Sequence, residues 1–214
     1  MAFKQVFNSL ARHYGPQHWW PADSPFEVMV GAVLTQNTAW TNVEKAIANL
    51  RHNNSLIPEA IITAAPDILA QWLKPSGYFN IKARRLRNLC EWYVAHGAYA
   101  KLKNWSTAQL RHGLLSVSGV GPETADDILL YAFERPVFVI DAYTRRMFSR
   151  LGMVSGDESY EELRALFEKK LAKDPQLYAE YHALIVSHGK DVCKKKPLCT
   201  QCVLKKRCPT QLAS

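Results

Sequence analysis

The sequence lacks any apolar run long enough to cross a membrane. Its longest, Phe26–Leu34, contains Glu27 and Gly31, whereas a transmembrane helix needs about 20 mostly apolar residues. The opening residues, Met1–Gln5, also lack the basic-then-apolar order of a secretory leader. These absences argue against a membrane-spanning or secreted protein and predict a cytoplasmic one.

Cysteine is scarce, and its placement is uneven. Only five cysteines occur, and four of them, Cys193, Cys199, Cys202 and Cys208, lie within the last 22 residues. In a reducing cytoplasm, clustered thiols act as metal ligands more often than they form disulfides. The sequence therefore predicts a metal centre near the C-terminus. Cys90 stands apart and is interpreted as a buried core thiol.

Acidic residues are also in short supply. Lys and Arg number 27 against 19 Asp and Glu, which gives a formal net charge of +8 at pH 7. A basic excess of this size suits a polyanionic partner, because each phosphate that is neutralised releases counterions. Charge alone leaves open a basic protein without such a partner. Hydrophobic residues make up 48% of the chain, so the composition is that of a globular protein rather than a disordered one.

Strand patterns are nearly absent. No two alternating runs are joined by a tight hairpin turn, and the one β-like run, Val137–Ile140, is four residues long between Pro136 and Asp141. Elsewhere apolar residues recur at helical spacing, and Ser159–Glu162 has the pattern of a capping box that opens a helix. The sequence therefore predicts an all-α fold, and its length allows one large domain or two small lobes.

A short glycine-bearing turn between two predicted helices is the first specific motif. Ser106 can cap a helix that runs to Leu115, and Pro122 fits the first position of a second helix, where its missing N–H costs nothing. Glycines in the turn allow positive φ and close backbone approach, and N–H groups at the helix start form a natural phosphate site. An ordinary helix–turn–helix corner is the alternative. The residues expected at the phosphate site are Val117, Gly119, Val120, Gly121 and Thr124.

Residues Val117–Ala125 follow the pattern apolar-x-Gly-Val-Gly-x-x-Thr-Ala, which resembles the helix-hairpin-helix DNA-binding element. From about Trp19 to Cys208, the chain resembles the helix-hairpin-helix superfamily of base-excision DNA glycosylases. The resemblance implies two α-helical lobes: residues 28–134, which include the hairpin, and residues 1–27 combined with 135–214. It also implies a monomeric enzyme whose partner is double-stranded DNA with damaged bases, associated with the nucleoid in a bacterial cell.

The superfamily resemblance also implies a catalytic carboxylate after the hairpin. In these glycosylases a catalytic aspartate follows a short apolar run, and Val137–Ile140, then Asp141, then a predicted helix from Ala142 to Leu151 resemble that layout. Cleavage of an N-glycosidic bond builds positive charge on the sugar, which a fixed carboxylate stabilises. Asp141 could instead simply cap its helix, a role worth about 1 kcal/mol, and the two roles are compatible.

Residue 123 distinguishes two chemistries within the superfamily. The endonuclease III family carries a lysine two residues after the second hairpin glycine, and the amine of that lysine attacks the sugar and cleaves the strand. Here the matching position is Glu123, and a carboxylate cannot form a Schiff base. The departure from the family pattern predicts a monofunctional glycosylase without strand-cleaving lyase activity.

Several segments resemble the 3-methyladenine DNA glycosylase III branch, which acts on alkylated purines. In that branch aromatic residues and a proline enclose the flipped base, and the matching positions are Trp20, Pro21 and Trp40, with Glu123 expected beside them. Electron-rich rings attract a cationic alkylated purine by about 0.5–2 kcal/mol each. The alternative is that both tryptophans are core residues. The matching segments are Trp19–Pro21, Gly31–Thr38, Pro75–Asn80 and Glu123–Leu129.

Two further segments resemble those that fill the space left by a flipped nucleotide. Gln36 and Asn37 lie in the first, and Tyr78 and Asn80 lie in the second. An amide can pair with the orphaned base, and an aromatic ring can enter between base steps, so Tyr78 is the expected wedge. A surface turn with Asn80 as a helix cap is the alternative.

The cysteine spacing C-x5-C-x2-C-x5-C resembles the iron–sulfur loop of the endonuclease III family, in which the first gap is one residue longer. The resemblance implies a [4Fe–4S] cluster bound by Cys193, Cys199, Cys202 and Cys208, since such a cluster needs four thiolates. A structural zinc site is the main alternative. Nearby lysines are expected to contact DNA phosphates, with plain solvation as the alternative, and they include Lys190, Lys194 and Lys205.

Other functions are compatible with these motifs. A bifunctional glycosylase of oxidised pyrimidines could use a different amine, such as that of Lys82. A mismatch glycosylase for thymine or adenine would share the same hairpin and carboxylate. A non-catalytic DNA-binding iron–sulfur protein would bind duplexes regardless of damage and would not depend on Asp141.

Overall fold

Helices account for all of the regular structure in the described part of the chain. The computed structural model describes residues 2–212, and no β-strand occurs among them. The predicted all-α fold is thus confirmed, and none of the described helices is long and apolar enough to cross a membrane. The α-helices are α1 (Phe3–Tyr14), α2 (Pro25–Leu34), α3 (Trp40–His52), α4 (Pro58–Thr63), α5 (Pro66–Leu73), α6 (Phe79–Ala95), α7 (Ala98–Leu102), α8 (Thr107–Leu115), α9 (Pro122–Asp127), α10 (Ala142–Arg150), α11 (Tyr160–Lys170), α12 (Pro175–Asp191) and α13 (Pro209–Leu212).

Shorter helical turns extend or connect these elements. A 3₁₀ turn, Lys74–Ser76, joins α5 to the segment before α6, and a π-helical turn, Ile128–Ala132, continues α9. Two further 3₁₀ turns, Cys199–Gln201 and Lys205–Arg207, lie among the C-terminal cysteines.

The chain divides into two compact units. Unit 1 combines Met1–Pro21 with Pro136–Ser214, and unit 2 is the continuous segment Ala22–Arg135. Unit 2 contains α2 to α9, whereas unit 1 contains α1 and α10 to α13.

Helix α2 forms the centre of unit 2. Ser24 caps its first turn by accepting a hydrogen bond from the Glu27 amide (3.2 Å), and Pro25 occupies the first helical position. Every residue from Phe26 to Leu34 is buried, and the helix packs against α3, α6 and α9. A helix that is apolar on all sides becomes the core of its unit, so α2 fixes the start of the loop that follows it.

Helix α6 is the longest helix of unit 2, with 17 residues. Leu86, Leu89 and Tyr93 lie on its buried face at helical spacing, and the helix packs against α2, α4 and α5. Lys82, one turn before Leu86, is buried on the same face. A charged residue therefore continues an otherwise apolar stripe toward the start of the helix.

Aromatic rings form the core of unit 1. Phe138 is fully buried, and its ring centroid lies 4.4 Å from that of Phe167 and 5.8 Å from that of Tyr181. Phe3 and Phe148 stack within the same cluster at 5.2 Å, a separation typical of aromatic pairs. No strand is assigned to the short apolar run that contains Phe138, so the run is a buried core segment, and it leads through Asp141 into α10.

Several helices begin where their capping signals predict. Ser106 accepts a hydrogen bond from the Gln109 amide, Ser159 accepts one from the Glu162 amide, and the reciprocal side-chain bond completes a capping box in both cases. Pro122 is the first residue of α9, as expected for a proline at a helix start.

Candidate active site and DNA-binding segments

The hairpin between α8 and α9 is shaped by one glycine with a left-handed backbone. Gly119 has φ = 100°, and a Cβ atom there would lie 2.2 Å from Cγ of Arg85, so glycine alone fits without rearrangement. Gly121 does not use positive φ, since its backbone is extended with φ = −91° and ψ = 178°. No atom lies within 4 Å of a Cβ built on Gly121, which leaves this side of the turn open to an approaching backbone.

An ion pair holds the two hairpin helices together. Arg111 on α8 donates from Nε to Oδ1 of Asp126 (2.6 Å) and from Nη2 to Oδ2 (3.1 Å). The Asp126 side chain is fully buried, so the guanidinium supplies the charge that a buried carboxylate requires. Val117, Val120 and Thr124 are buried, so these expected phosphate-site residues shape the turn and would reach a partner through their backbone.

The side chain of Gln36 is bonded to the hairpin. Its Nε2 donates to Gly119 O and to Thr124 Oγ1, both at 3.0 Å, and Arg85 donates to its Oε1. The Gln36 amide thus has hydrogen-bond partners within the protein. To pair with an orphaned base, it would have to break these hydrogen bonds. Asn37, the next residue, is exposed and has φ = 54°.

Tyr78 projects from a sharp turn that precedes α6. Its φ is 46°, and 68% of its surface is exposed, so the ring is available to a partner. Asn80 is also exposed but lies inside the first turn of α6, where Tyr78 is the N-cap residue. The alternative prediction, that Asn80 caps the helix, is therefore wrong.

Lys82 carries an ammonium group that is enclosed within unit 2. Only 1% of the residue is exposed, and Nζ donates to Leu34 O (2.8 Å) and to Ser76 O (2.7 Å). Burial, with a smaller contribution from Arg85, lowers the pKa of Lys82 to about 8. The amine is surrounded by carbonyl oxygens rather than presented to a substrate.

The four expected base-pocket residues are divided between the two units. In unit 2, Trp40 begins α3, is partly exposed and donates from Nε1 to Oε1 of Glu44 (2.9 Å). Glu123 is exposed in the first turn of α9. In unit 1, Trp20 is partly exposed and Pro21 is exposed. Both tryptophans keep some exposed surface, whereas a plain core residue would be fully buried.

Asp141 is the N-cap of α10, and two groups hold its carboxylate. Oδ1 accepts a hydrogen bond from the Thr144 amide (2.6 Å), and Oδ2 lies 3.6 Å from Nε2 of His182 on α12, while 11% of the side chain is exposed. Burial opposes ionisation, but the His182 side chain and the Thr144 amide more than offset it, so the pKa of Asp141 lies below its usual range. The carboxylate is therefore anionic at neutral pH and fixed in direction.

The four C-terminal cysteines line one pocket. Its wall includes Cys193, Cys199, Cys202 and Cys208. Burial raises the pKa of Cys202, and the other three thiols add to the effect. Among the described residues, no three His, Cys, Asp or Glu side chains converge closely enough to hold a single metal ion.

Arg150 anchors the start of the cysteine loop. It donates from Nη1 to Lys194 O (2.6 Å) and from Nη2 to Lys195 O (2.9 Å). The same Nη1 lies 3.4 Å from Sγ of Cys193. The lysines expected to contact DNA around this loop are all exposed: Lys190, Lys194 and Lys205.

A buried histidine links the cysteine loop to α1. Nε2 of His188 lies 3.4 Å from Sγ of Cys202, and Nδ1 lies 2.8 Å from the Tyr14 hydroxyl. Burial, with a smaller contribution from His13, lowers the pKa of His188 to about 4. The imidazole is thus neutral at pH 7 and can donate from only one of its nitrogens.

Residues 30–173 match the HhH-GPD superfamily of base excision DNA repair proteins. This protein belongs to that superfamily. The match covers more than half of the chain and includes α3 to α11, the hairpin and Asp141. DNA glycosylase is accordingly the class of enzyme to which the chain belongs.

Relatives of this HhH-GPD protein include both named enzymes and solved structures. A provisionally named DNA repair glycosylase of Methanocaldococcus jannaschii, MJ1434, is 47% identical over 209 residues, covering 95% of this chain and 94% of the relative. Endonuclease III of Thermotoga maritima is 31% identical over 189 residues, covering 86% and 82%.

Two solved structures align over most of the chain. The 3-methyladenine DNA glycosylase MagIII of H. pylori, bound to 1,N6-ethenoadenine, aligns with a TM-score of 0.76 at 30% identity, covering 89% of this chain and 98% of that one. A non-covalent endonuclease III–DNA complex aligns with a TM-score of 0.85 at 23% identity, covering 98% and 95%. At that identity the second comparison shows a likeness of fold alone.

The structure buries two titratable residues of the HhH-GPD chain, Lys82 and His182, that the sequence alone did not mark as important. Sequence motifs indicate Lys82 only as an alternative amine, and they do not indicate His182. Both lie on buried helix faces, Lys82 one turn before Leu86 and His182 one turn after Tyr178. A titratable residue at an apolar position of a helical stripe is the signal that could have found them.

Proposed function

We propose that this HhH-GPD protein is a monofunctional DNA glycosylase that excises alkylated purines from double-stranded DNA, with Asp141 as its catalytic carboxylate. The environment of Asp141 carries the proposal. Its side chain is largely buried, its pKa is lowered, and the Thr144 amide and His182 hold it in place. A fixed, partly desolvated anion is the group that this chemistry requires.

The proposed reaction begins when the damaged nucleotide is flipped out of the duplex. As the bond between C1′ and the base breaks, positive charge develops on the sugar, and the Asp141 carboxylate stabilises it. An N3- or N7-alkylated purine is cationic, so it leaves as a neutral base without protonation by the enzyme. Water then adds to C1′, and Asp141 can accept the proton that the water loses, leaving an abasic site.

Two observations support the absence of a lyase step. Glu123 occupies the position of the endonuclease III lysine, and a carboxylate cannot form a Schiff base. Lys82, the alternative amine, is buried and donates to two carbonyl oxygens. Neither residue offers a free amine to the sugar.

The proposed base pocket consists of Trp20, Pro21, Trp40 and Glu123. Partial exposure of both tryptophans leaves ring surface for a base, and ring faces favour a cationic purine over a neutral one. An exposed carboxylate at residue 123 adds complementary charge. The relative MagIII is named a 3-methyladenine DNA glycosylase, and 3-methyladenine is an alkylated purine, which supports the same class of substrate here.

The proposed DNA contacts come from backbone, amide and aromatic groups. The open side of Gly121 and the turn at Gly119 and Val120 would bind phosphate through N–H groups. Tyr78 would act as the wedge, since its ring is exposed. Gln36, Asn37 and Asn80 would approach the orphaned base, and the basic residues Lys190, Lys194 and Lys205 would bind phosphates.

A [4Fe–4S] cluster is the proposed occupant of the cysteine pocket. All four thiols line one pocket, and four thiolates are the number that such a cluster needs. The same four thiols would also satisfy a tetrahedral zinc ion, and a spectrum distinguishes the two occupants. Cys193, Cys199, Cys202 and Cys208 would hold the cluster, which would supply a structural clamp on this basic loop.

Excision on a panel of duplexes tests the proposed function. The panel contains alkylated purines, oxidised pyrimidines and mismatches, and each product is analysed with and without alkali. We expect release of an alkylated purine, strand breaks only after alkali, and much slower excision by D141N. Strand breaks without alkali would refute the monofunctional mechanism, and full activity of D141N would refute the catalytic assignment.

A visible absorption spectrum of protein purified without oxygen tests the proposed cluster. Thiolate-bound iron–sulfur clusters absorb broadly near about 400 nm, whereas zinc thiolates do not. We expect that band in the wild type and its loss in C199S. A colourless protein with one bound zinc per chain would refute the proposed cluster and support the structural zinc site.

A further inference from the structure

Lys82 joins two segments that are far apart in the sequence. Its Nζ donates to the carbonyl of Leu34, the last residue of α2, and to the carbonyl of Ser76, the last residue of the 3₁₀ turn. The Gln36 loop, defined as residues 35–39, begins directly after Leu34. The Tyr78 turn, defined as Gly77–Tyr78, begins directly after Ser76. One ammonium group therefore anchors the start of both segments.

A second hydrogen bond closes the same junction. Thr38, within the Gln36 loop, donates from Oγ1 to the Ser76 carbonyl at 2.6 Å. Ser76 is fully buried, and its carbonyl oxygen accepts from both Lys82 and Thr38. The Gln36 loop is thus tied at its start through Leu34 and near its end through Ser76.

The junction requires a cation rather than an apolar side chain. Carbonyl groups at the ends of helices lack helical partners and carry partial negative charge. A methionine at residue 82 would pack on the same buried face and would avoid the free-energy cost of burying a charge. It could not, however, donate a hydrogen bond to either carbonyl. An ammonium group, with three donors, can bind two carbonyls at once.

We infer that Lys82 is a positioning residue that holds the Gln36 loop and the Tyr78 turn at a fixed separation, so that the amide and the aromatic ring meet the distorted duplex together. The inference rests on the proposed function, in which both segments contact DNA at the flipped nucleotide. Lys82 itself touches no substrate. Its effect belongs to the flipping step, because undamaged duplex is bound by the hairpin and the basic residues.

The test compares K82M, T38V and the matched control K45M, each with and without Y78A. Lys45 is an exposed lysine on α3, so K45M removes the same charge away from the junction. The substrate is a duplex with the alkylated purine that the wild type releases fastest and with 2-aminopurine beside it. Single-turnover excision, 2-aminopurine fluorescence as a measure of flipping, affinity for undamaged duplex, and thermal unfolding are recorded for each variant.

We expect K82M to lower the rates of flipping and excision by about 10- to 100-fold, as a misplacement near 1 Å does. T38V should lower them less, and K45M should match the wild type. Affinity for undamaged duplex should change by less than about threefold in all variants. In the Y78A background K82M should have little further effect, because the ring that Lys82 positions is then absent.

Two results would overturn the inference. In one, K82M flips and excises as the wild type does; in the other, K82M causes the same loss with Tyr78 and with Y78A, which indicates a general structural role. If K82M unfolds, T38V decides the question, since it breaks the bond to Ser76 with Lys82 in place and should show the same dependence on Tyr78. A wild type that excises no base overturns the proposed function and this role together, whereas an active wild type with an indifferent K82M overturns this role alone.

Discussion

At the scale of single residues, residue 123 determines whether an amine is present at the start of α9. Glu123 is exposed in the first turn of that helix, so E123K should present a lysine to a bound sugar. We expect E123K to form a covalent complex with damaged duplex that borohydride traps, because its amine can form a Schiff base. Wild type and E123Q should form none, and trapping of the wild type would show that another amine acts.

Asp141 permits a substitution that separates catalysis from helix capping. Asn is as good an N-cap as Asp, so D141N should keep α10 intact while it removes the charge. We expect single-turnover excision to fall by about 100-fold or more, in line with the loss of one electrostatic catalytic group. Far-UV circular dichroism should be unchanged, and a variant that loses both helicity and activity would leave capping as the better explanation.

The lowered pKa of Asp141 also predicts how stability changes with pH. Because the pKa is lower in the folded chain than in the unfolded one, the carboxylate contributes stability that is fully present above its unfolded value of about 3.9. That contribution is lost as the pH falls through the folded value. The difference in unfolding free energy between wild type and D141N, measured by urea denaturation, should therefore shrink below about pH 4. A difference that is constant from pH 7 to pH 3 would contradict this.

The conformations and hydrogen-bond partners of single residues were the features that the sequence predicted least well. The glycine spacing predicted a turn, but only Gly119 needs a left-handed backbone, and Gly121 is extended. Gln36 was assigned to DNA because of its place in a motif, yet its amide bonds to the hairpin. Such bonds join segments more than 80 positions apart, and local patterns carry no information about them.

At the scale of elements, the hairpin depends on the ion pair between α8 and α9. Asp126 is fully buried, and Arg111 is its partner. We expect R111M to lower the unfolding free energy by about 3–5 kcal/mol, because it removes the guanidinium that pairs with this buried carboxylate. The double variant R111M/D126L should recover most of that loss, as measured by urea denaturation. A double variant as unstable as R111M would show that packing, and not charge, is the source of the effect.

The first residues of the helices were the features of secondary structure that the sequence predicted best. Ser106 and Ser159 were predicted from side chains that act within four residues, and both begin helices with complete capping boxes. The β-like run Val137–Ile140 was less readable, because four apolar residues fit a strand or a buried extended segment equally well. The structure decides for the segment, because the Phe138 amide donates to the Glu168 side chain and the Ile140 amide to the Tyr160 hydroxyl rather than to a neighbouring strand.

At the scale of the whole molecule, the sequence was most informative about class. The near absence of strand patterns predicted the all-α fold, and the hairpin pattern predicted the superfamily, which residues 30–173 match. The four clustered cysteines line one pocket, but a count of thiols does not determine the group that they hold. Lesion preference depends on pocket shape, which arises from side chains of separate segments and is not encoded in any local pattern.

The discontinuous make-up of unit 1 has a consequence for biosynthesis. Helix α1 packs against α12, which begins at Pro175, so a ribosome must add about 160 residues after α1 before its partner exists. Translation adds roughly 5–20 residues per second. The apolar face of α1, which includes Val6 and Leu10, therefore lacks its α12 partner for about 8–32 seconds. Unit 2 is complete well before then and can fold while translation continues. The nascent chain therefore presents chaperones with a finished unit 2 while α1 still lacks α12, and the cysteine loop emerges after α12.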